Sequence, residues 1–213
     1  MIQTNTKLSM TKATSQFAGS NSVIPTNSIG YLHWLSIYDA AAVARYEQML
    51  YADFLPILRR NPLIRDLWDW DDAHQRLRTR VPYTSQKVAL LSDQKTGQIN
   101  FATGVNVQVD CHWQSGTYGF SLPKSTAGIC EFLIMAGRGR SLLNGIAIYS
   151  QYASGFLFPE LLENGYHTAF STSAAHLLKL YSWCGAERVD ERMVNGHRRT
   201  LLRWRLDKKN RQF

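Results

Sequence analysis

The stretch from residue 128 to residue 190 constrains the fold more than any other part of the chain. It contains an apolar segment, a turn rich in glycine and arginine, a long helical segment, a second β-prone segment and a second helical segment. Two strands joined by a helix of this length predict a βαβ crossover, in which the strands run parallel. The turn reads Ala136-Gly137-Arg138-Gly139-Arg140-Ser141. Its glycines let backbone N–H groups approach an anion, and the helix start that follows adds positive potential, so the turn suits a phosphate or pyrophosphate.

The segments before this unit predict a strand and two helices. Residues 29–38 are aromatic and β-branched, as is typical of a strand. Asp39 is a good N-cap for a helix over residues 40–55, which Pro56 and Pro62 would break. Apolar residues at helical spacing predict a second helix over residues 63–80.

Two β-hairpins are expected on either side of the central unit. Residues 87–92 and 98–109 are β-prone and are separated by a polar turn, which predicts an antiparallel pair. Residues 111–125 are rich in glycine and aromatic residues, which favours a loop. Near the C-terminus, Asn195-Gly196 lies between two β-prone runs, a strong hairpin signal.

The order of elements predicts a mixed α/β sheet flanked by helices. Residues 1–28 are rich in Ser, Thr and Asn, so we expect a flexible polar tail. Residues 29–213 then form a single domain, a usual size for one core.

Composition narrows the class of protein and its partners. The chain has 213 residues and a formal net charge of +8, so it attracts anionic partners. No apolar run is long enough to span a membrane, and the N-terminus lacks the apolar core of a secretory signal. The three cysteines are odd in number and have no metal-ligand spacing, which favours a reduced cytoplasmic protein without a metal site.

Two motifs resemble those of the GNAT (GCN5-related N-acetyltransferase) superfamily. Members carry a Q/R-x-x-G-x-G/A turn and, later, a helix ending in L-Y-x-x-x-G-F. This chain has Ala136-x-x-Gly139-x-Ser141 for the first and Leu180-Tyr181-Ser182-Trp183-Cys184-Gly185-Ala186 for the second. It departs from the pattern at Ala136, Ser141 and Ala186. The resemblance covers about half of the chain. It leans towards the branch of acyl-homoserine-lactone synthases and N-acyl amino acid synthases, where Glu131-Phe132-Leu133 resembles a strand that carries a glutamate.

The resemblance implies a GNAT-like fold and a set of site residues. The donor would be a thioester of coenzyme A or of acyl carrier protein, with no permanently bound cofactor. Its pyrophosphate would lie on the turn, and its carbonyl would be polarised by backbone N–H groups of the preceding strand. Tyr181 would be the general acid that protonates the departing thiolate; a tyrosine that only packs the helix on the sheet is the alternative. The donor-binding residues are then Leu133, Ile134, Met135, Gly137, Arg138, Gly139, Arg140 and Ser141.

Glu131 is the predicted general base. It is an ionisable residue inside an apolar strand, where burial raises the pKa of a carboxyl toward the range useful for a base. A salt-bridged or edge-facing glutamate is the alternative. His167 and His176 are reserve candidates, expected near the same end of the site. Cys130 and Cys184 lack a convincing histidine partner for nucleophilic catalysis.

The sequence therefore predicts an N-acyltransferase that moves an acyl group from a thioester to an amine by direct attack. Acyl-CoA or an acidic acyl carrier protein would be the donor and an amine-bearing molecule the acceptor; a homodimer stays open. Two alternatives remain. One is a basic protein that binds nucleic acid through Arg198, Arg199, Arg203 and Arg205 and the basic tail. The lack of aromatic interleaving of the RNA-recognition type argues against it. The other is a GNAT-fold protein that binds a ligand or partner without catalysis.

Overall fold

The structure is a computed structural model that describes residues 24–26, 30–58, 63–137 and 149–207. Its strands are β1 (Ile24–Thr26), β2 (Gly30–Trp34), β3 (Trp68–Asp71), β4 (Arg76–Thr79), β5 (Gln86–Ser92), β6 (Ile99–Asn106), β7 (Ile129–Gly137), β8 (Thr168–Ala174), β9 (Glu187–Val194) and β10 (His197–Arg205). Its α-helices are α1 (Ala40–Leu58), α2 (Leu63–Leu67), α3 (Phe158–Glu163) and α4 (Leu178–Trp183), and a π-helix (Tyr149–Leu157) leads into α3.

A mixed sheet forms the centre of the molecule. Its eight strands lie in the order β1-β2-β5-β6-β7-β8-β10-β9, and β3 and β4 form a separate hairpin. Neighbouring strands are antiparallel except β7 and β8, which are parallel. The crossover between them carries the π-helix and α3, as the βαβ pattern predicts.

The parallel pair separates after only three residue pairs. Ile129, Cys130 and Glu131 of β7 lie opposite Thr168–Phe170 of β8. Beyond this point β7 continues against β6 to Gly137, while β8 continues against β10 to Ala174. A V-shaped gap therefore opens in the middle of the sheet, between the C-terminal halves of two adjacent strands.

A β-bulge at Leu133 accompanies this gap. Val105 of β6 pairs with Phe132, but the preceding Gly104 pairs with Ile134, so Leu133 is the extra residue on β7. The bulge reverses the faces to which side chains point. Phe132 packs in one core cluster, whereas Ile134 packs in another. Such bulges re-aim backbone and side chains beside functional sites.

The two faces of the sheet carry separate cores. On one face the α3-side core contains Phe156, Leu161, Leu202 and Trp204. On the other, the α1-side core contains Tyr46, Leu50, Leu77 and Ile134. A smaller cluster, with Tyr118, Phe120, Phe170 and Leu201, also lies on the α1 side, because Leu201 alternates with Leu202 along β10 and because Leu67 packs against both clusters.

The predicted second helix over residues 63–80 is wrong beyond its first turn. Only Leu63–Leu67 are helical, and the β3–β4 hairpin follows. The apolar residues of Trp68–Asp71 and Arg76–Thr79 also alternate with period two, so this stretch fits a strand as well as a helix. Cross-strand ion pairs from Arg78 and Arg80 to Asp69 support the hairpin.

The N-terminal elements differ from expectation in two further places. Asp39 caps α1 as predicted, accepting a hydrogen bond from the Ala42 amide at 2.9 Å, but the helix continues past Pro56 to Leu58. Pro56 lacks a backbone N–H donor, and the helix ends two residues after it. The predicted tail includes Ile24–Thr26, which form β1 against β2; its other residues lie outside the described ranges.

The remaining strands match their predicted positions closely. The β5–β6 hairpin is antiparallel, and residues 111–125 contain only a short 3₁₀ turn, Gln114–Tyr118. Asn195 and Gly196 both have positive φ, of 47° and 79°, as a type I′ turn between β9 and β10 requires. Within the described residues, none of the helices is long and apolar enough to cross a membrane.

Candidate active site

A cavity of about 830 Å³ opens where β7 and β8 separate. The end of β7 forms one wall, and the end of β8 with α4 forms the other. Strand β10 and the C-terminal half of α1 complete the lining. The described lining residues are Phe54, Ile57, Phe101, Met135, Ala136, Gly137, Ala174, Ala175, His176, Leu177, Leu180, Tyr181, Cys184, His197, Arg198 and Arg199.

The cavity reaches both faces of the sheet. Phe54 and Ile57 pack against the α1-side core, whereas Leu180 and Tyr181 pack against the α3-side core. All four side chains line the same space. Two molecules could therefore enter from opposite faces and meet in the gap between β7 and β8.

Tyr181 lies in the α3-side wall, at a position fixed by the end of α4. The helix closes with a hydrogen bond of 2.9 Å from the Ala186 amide to the Tyr181 carbonyl, and Gly185 has φ of 90°. This left-handed conformation at the end of the helix favours glycine, which explains the glycine of the L-Y-x-x-x-G motif. The Tyr181 ring packs edge-on against Trp204. Burial, with a smaller effect of Cys184, raises the pKa of the Tyr181 phenol to about 12, so it is protonated at neutral pH.

Cys184 lines the cavity beside Tyr181, one turn along the helix. Burial raises the pKa of its thiol to about 11, and burial also raises that of Cys130, which is not a lining residue. A nucleophilic cysteine needs a lowered pKa. Both thiols are therefore poorly suited to form a covalent acyl intermediate, in agreement with the sequence-based interpretation.

The glycine-arginine turn begins in the cavity wall. Gly137 lines the cavity, and a Cβ at this position would lie 2.9 Å from the Asn100 carbonyl oxygen and 2.4 Å from the Phe101 ring. Glycine is therefore needed here for the close approach of β7 to β6. The other predicted pyrophosphate-binding residues, Arg138, Gly139, Arg140 and Ser141, lie outside the described residues.

The predicted carbonyl-polarising residues lie on β7 beside the gap. Met135 lines the cavity, while Leu133 and Ile134 are buried next to it. The Leu133 carbonyl accepts a hydrogen bond of 3.0 Å from the Gln114 side chain. Because Leu133 is the bulged residue, its peptide groups are displaced from the regular β6 ladder.

The Glu131 carboxylate faces a loop instead of the cavity. It is 1% exposed and accepts hydrogen bonds from the Ser115 hydroxyl at 2.5 Å, the Ser115 amide at 2.7 Å and the Gln114 amide at 3.0 Å. The Asn106 amide group is a fourth donor at 3.3 Å. Burial raises the pKa of the Glu131 carboxyl, and these hydrogen bonds act in the opposite direction. The arrangement anchors the 3₁₀ turn to β7; the predicted role as a base stays a prediction.

The two reserve histidines lie at opposite ends of β8, so the expectation that they share one end is wrong. His167 precedes the strand, where it contacts Gly128 and does not line the cavity. His176 follows the strand and is exposed in the cavity wall. The sequence analysis also missed His197, which lines the cavity from β10. Which residues line the cavity depends on the separation of β7 from β8. No local sequence pattern indicates that separation.

The basic residues of β10 do not form a free cationic surface. Arg203 and Arg205 both pair with Glu187, and Arg198 pairs with Glu191 at 3.4 Å. Arg199 is buried. These partners offset part of the positive charge of the strand on which the nucleic-acid alternative depends.

Comparison with known proteins gives a match in structure alone. No protein-family model matches this sequence, and no curated protein matches it either. The CoA-dependent acyl-homoserine lactone synthase BjaI, solved with SAM and isopentyl-CoA, superposes with a TM-score of 0.60 at 11% identity, covering 84% of this chain and 85% of BjaI. The chain has the fold of the acyl-homoserine lactone synthases.

Two further synthases support this assignment. TofI, solved in a ternary complex with an inhibitor and MTA, gives a TM-score of 0.60 at 12% identity over 84% of this chain and 92% of TofI. The synthase LasI gives 0.58 at 14% identity over 84% of this chain and 90% of LasI. The GNAT-like fold predicted from the sequence is confirmed, in the form that these synthases have. Sequence identities this low show only that the fold is shared. The reaction has to be inferred from the residues of the site.

Proposed function

We propose that this chain is an N-acyltransferase that moves an acyl group from a thioester to an amine. The observation that carries the proposal is the cavity between β7 and β8, with Tyr181 in one wall. The fold agrees with it, because BjaI, which has this fold, is a CoA-dependent synthase solved with isopentyl-CoA. The mostly apolar lining from Phe54, Ile57, Met135 and Leu180 suits an acyl chain.

The donor is a thioester of coenzyme A or of acyl carrier protein. We place its thioester group in the gap, beside the bulge at Leu133, where displaced backbone groups could polarise the carbonyl. The turn that starts at Gly137 would receive the pyrophosphate. Both donors share the same thioester chemistry, so the choice between them is left to the binding experiment below.

The reaction needs two proton transfers. The amine nitrogen attacks the thioester carbonyl carbon, a C–N bond forms, and the C–S bond breaks. Tyr181 gives its phenolic proton to the departing thiolate, and its raised pKa means that the phenol is protonated at neutral pH when the thiolate forms. The amine loses a proton to a base. Since Glu131 is held by the loop, we assign this role to His176, the reserve candidate that lines the cavity.

The first experiment is ligand-dependent thermal unfolding at two salt concentrations. The ligands are coenzyme A, acetyl-CoA, a long-chain acyl-CoA and an acyl carrier protein thioester. A ligand that binds only the folded state must raise the midpoint. A rise with one thioester that survives at high salt supports the proposal, whereas no rise with any of the four contradicts it.

A thiol-release assay separates an enzyme from a binding protein of the same fold. Each thioester that raises the midpoint is incubated with a mixture of amines, and free thiol is followed with time. Amine-dependent release supports catalysis. Binding without release would favour the alternative of a GNAT-fold protein that has lost the reaction.

A further inference from the structure

The 3₁₀ turn Gln114–Tyr118 lies where β7 and β8 separate. The last pair of residues that these strands share is Glu131 and Phe170. Two backbone amides at the start of the turn donate to the Glu131 carboxylate, at 3.0 and 2.7 Å. Trp113, immediately before the turn, packs edge-on against the Phe170 ring with centroids 5.9 Å apart. The turn therefore bridges the two strands at the point where their pairing ends.

Gln114 binds β7 through its side chain as well. Its Nε2 donates to the Leu133 carbonyl oxygen at 3.0 Å, two residues beyond the glutamate that accepts from its backbone amide. The oxygen of the same side-chain amide, Oε1, is buried and accepts no hydrogen bond from the described residues. A buried polar atom without a partner lowers stability and in a native protein calls for an explanation. The side chain is thus held against Leu133 at a cost, which points to a role for this contact beyond stability.

Leu133 is the residue of β7 that the sheet leaves unpaired. It is the extra residue of the bulge, with no partner on β6, and β8 has already separated from β7 at this position. A peptide unit is planar, so a hydrogen bond to the Leu133 oxygen also fixes the direction of the Ile134 N–H. Gln114 therefore takes the place of a neighbouring strand in holding this peptide.

We propose that Gln114 is a positioning residue for acyl transfer, which holds the Leu133–Ile134 peptide so that the backbone amides of the bulge remain directed for polarising the thioester carbonyl. This inference rests on the proposed function. Gln114 is not among the described residues that line the cavity, so it acts through the backbone. Backbone donors stabilise a developing oxyanion because they are preorganised and need not turn during the reaction. Loss of one whole donor lowers kcat by about 10²–10³-fold, so loss of the contact that orients it is expected to cost about tenfold.

The kinetic test removes the donor and keeps the size of the side chain. In Gln114→Met, kcat for thiol release is expected to fall about tenfold, while KM for the thioester changes less than about threefold, because the lost effect belongs to the transition state. Gln108→Met is the matched control. Gln108 accepts a hydrogen bond of 2.8 Å from the Ser85 hydroxyl, and its side chain makes no hydrogen bond to β7 among the described residues. That variant should keep the wild-type kcat.

Infrared spectroscopy measures the polarisation directly and without an acceptor. The probe is an acyl-CoA labelled with ¹³C at the thioester carbonyl, bound to each protein in the absence of amine. In the wild-type protein the carbonyl band is expected at a lower frequency than in the free thioester, because hydrogen bonding weakens the C=O bond. In Gln114→Met the band should move back towards the free position. A glutamine that only stabilises the fold would change the unfolding midpoint and leave this band in place.

Gln114→Glu provides a rescue that depends on pH. The ionised carboxylate has no proton to give to the Leu133 oxygen, whereas the protonated carboxyl can donate. The ratio of its kcat to that of the wild type at the same pH should therefore rise as the pH falls. If Gln114→Met does not fold, as its midpoint without ligand will show, this ratio decides, and a ratio independent of pH overturns the inference.

The outcomes separate this role from the function on which it builds. Wild-type kcat and an unmoved carbonyl band in a folded Gln114→Met overturn the role of Gln114 and leave the acyltransferase intact. Failure of the wild-type protein to bind any thioester overturns the acyltransferase, and the positioning role falls with it.

Discussion

Tyr181 and Trp204 pack edge to face, with ring centroids 5.6 Å apart and an interplanar angle of 68°. The contact joins α4 to β10 and holds the phenol ring in the cavity wall. The contact involves the Tyr181 ring but not its hydroxyl. A variant that lacks only the hydroxyl therefore distinguishes the two roles that the sequence leaves open for Tyr181, general acid and packing residue.

The first prediction follows from this contact. Tyr181→Phe keeps the ring and its packing on Trp204 but removes the proton that the thiolate takes. We expect turnover, measured as thiol release, to fall about tenfold or more, because general acids contribute on this scale. The rise of the unfolding midpoint with donor should stay within error of the wild type.

Tyr166→Phe is the matched control for that experiment. Tyr166 packs against the same α3-side core but does not line the cavity. Its variant should keep wild-type turnover. Equal turnover in Tyr181→Phe and the wild type would remove the phenol from the mechanism and leave it a packing role.

The second prediction concerns the carboxylate that holds the 3₁₀ turn. Ser115→Ala removes the hydroxyl that donates to Glu131 at 2.5 Å in a buried site. We expect the free energy of unfolding to fall by about 1.5–3 kcal/mol, as for hydrogen bonds to charged groups. Denaturant unfolding measures this, with turnover per folded molecule close to that of the wild type.

Thr117→Ala provides the comparison within the same turn. Its hydroxyl donates to the Gln114 carbonyl in an exposed position, so its loss should change the stability by less than about 0.5 kcal/mol. A Ser115→Ala protein of unchanged stability but strongly reduced turnover would instead support the role of Glu131 as a base.

The third prediction tests the close approach of β7 to β6. A methyl group in Gly137→Ala meets the Asn100 carbonyl oxygen, which is backbone and cannot turn away. We expect a loss of about 1–3 kcal/mol in the free energy of unfolding, typical of overpacking. Gly155→Ala is the control, since among the described residues no atom outside its own helix backbone and chain neighbours lies within 4 Å of its added Cβ, and it should be neutral or slightly stabilising.

The contrast between Asn195-Gly196 and residues 63–80 shows which features a sequence determines locally. An Asn-Gly pair tolerates positive φ at both positions, so the hairpin it predicts forms where it was expected. In residues 63–80, Leu67, Trp70 and Leu77 fit a helical repeat, but Trp68–Asp71 and Arg76–Thr79 each alternate as strands do. Tertiary packing of Trp68 and Leu77 in the α1-side core decides the outcome in favour of a hairpin.

The site is harder to predict than the fold because it depends on long-range geometry. The motif around Tyr181 points to the cavity, since its glycine fixes the end of α4. Nothing local indicates that Arg199 faces the same space, because its position follows from the pairing of β10 with β8 after β8 has left β7. In the sequence, Arg199 is one basic residue among several on an exposed-looking strand.

The last prediction is a loss of stability at alkaline pH that depends on Cys184. Its thiol has a pKa of about 11 in the folded protein, against an ordinary value of 9.0. Below pH 9 the thiol is protonated in both states and contributes no pH dependence. Between pH 9 and 11 the unfolded chain loses the proton while the folded protein retains it, so the free energy of unfolding falls as the pH rises.

The contribution of this one thiol is on the order of 1–2 kcal/mol. Denaturant unfolding under reducing conditions at several pH values measures it, and Cys184→Ala should make the slope shallower, while buried Cys130, whose pKa is also raised, still contributes. Cys111→Ala removes an exposed thiol and should leave the slope unchanged, whereas equal slopes in Cys184→Ala and the wild type would show that Cys184 is not the group responsible.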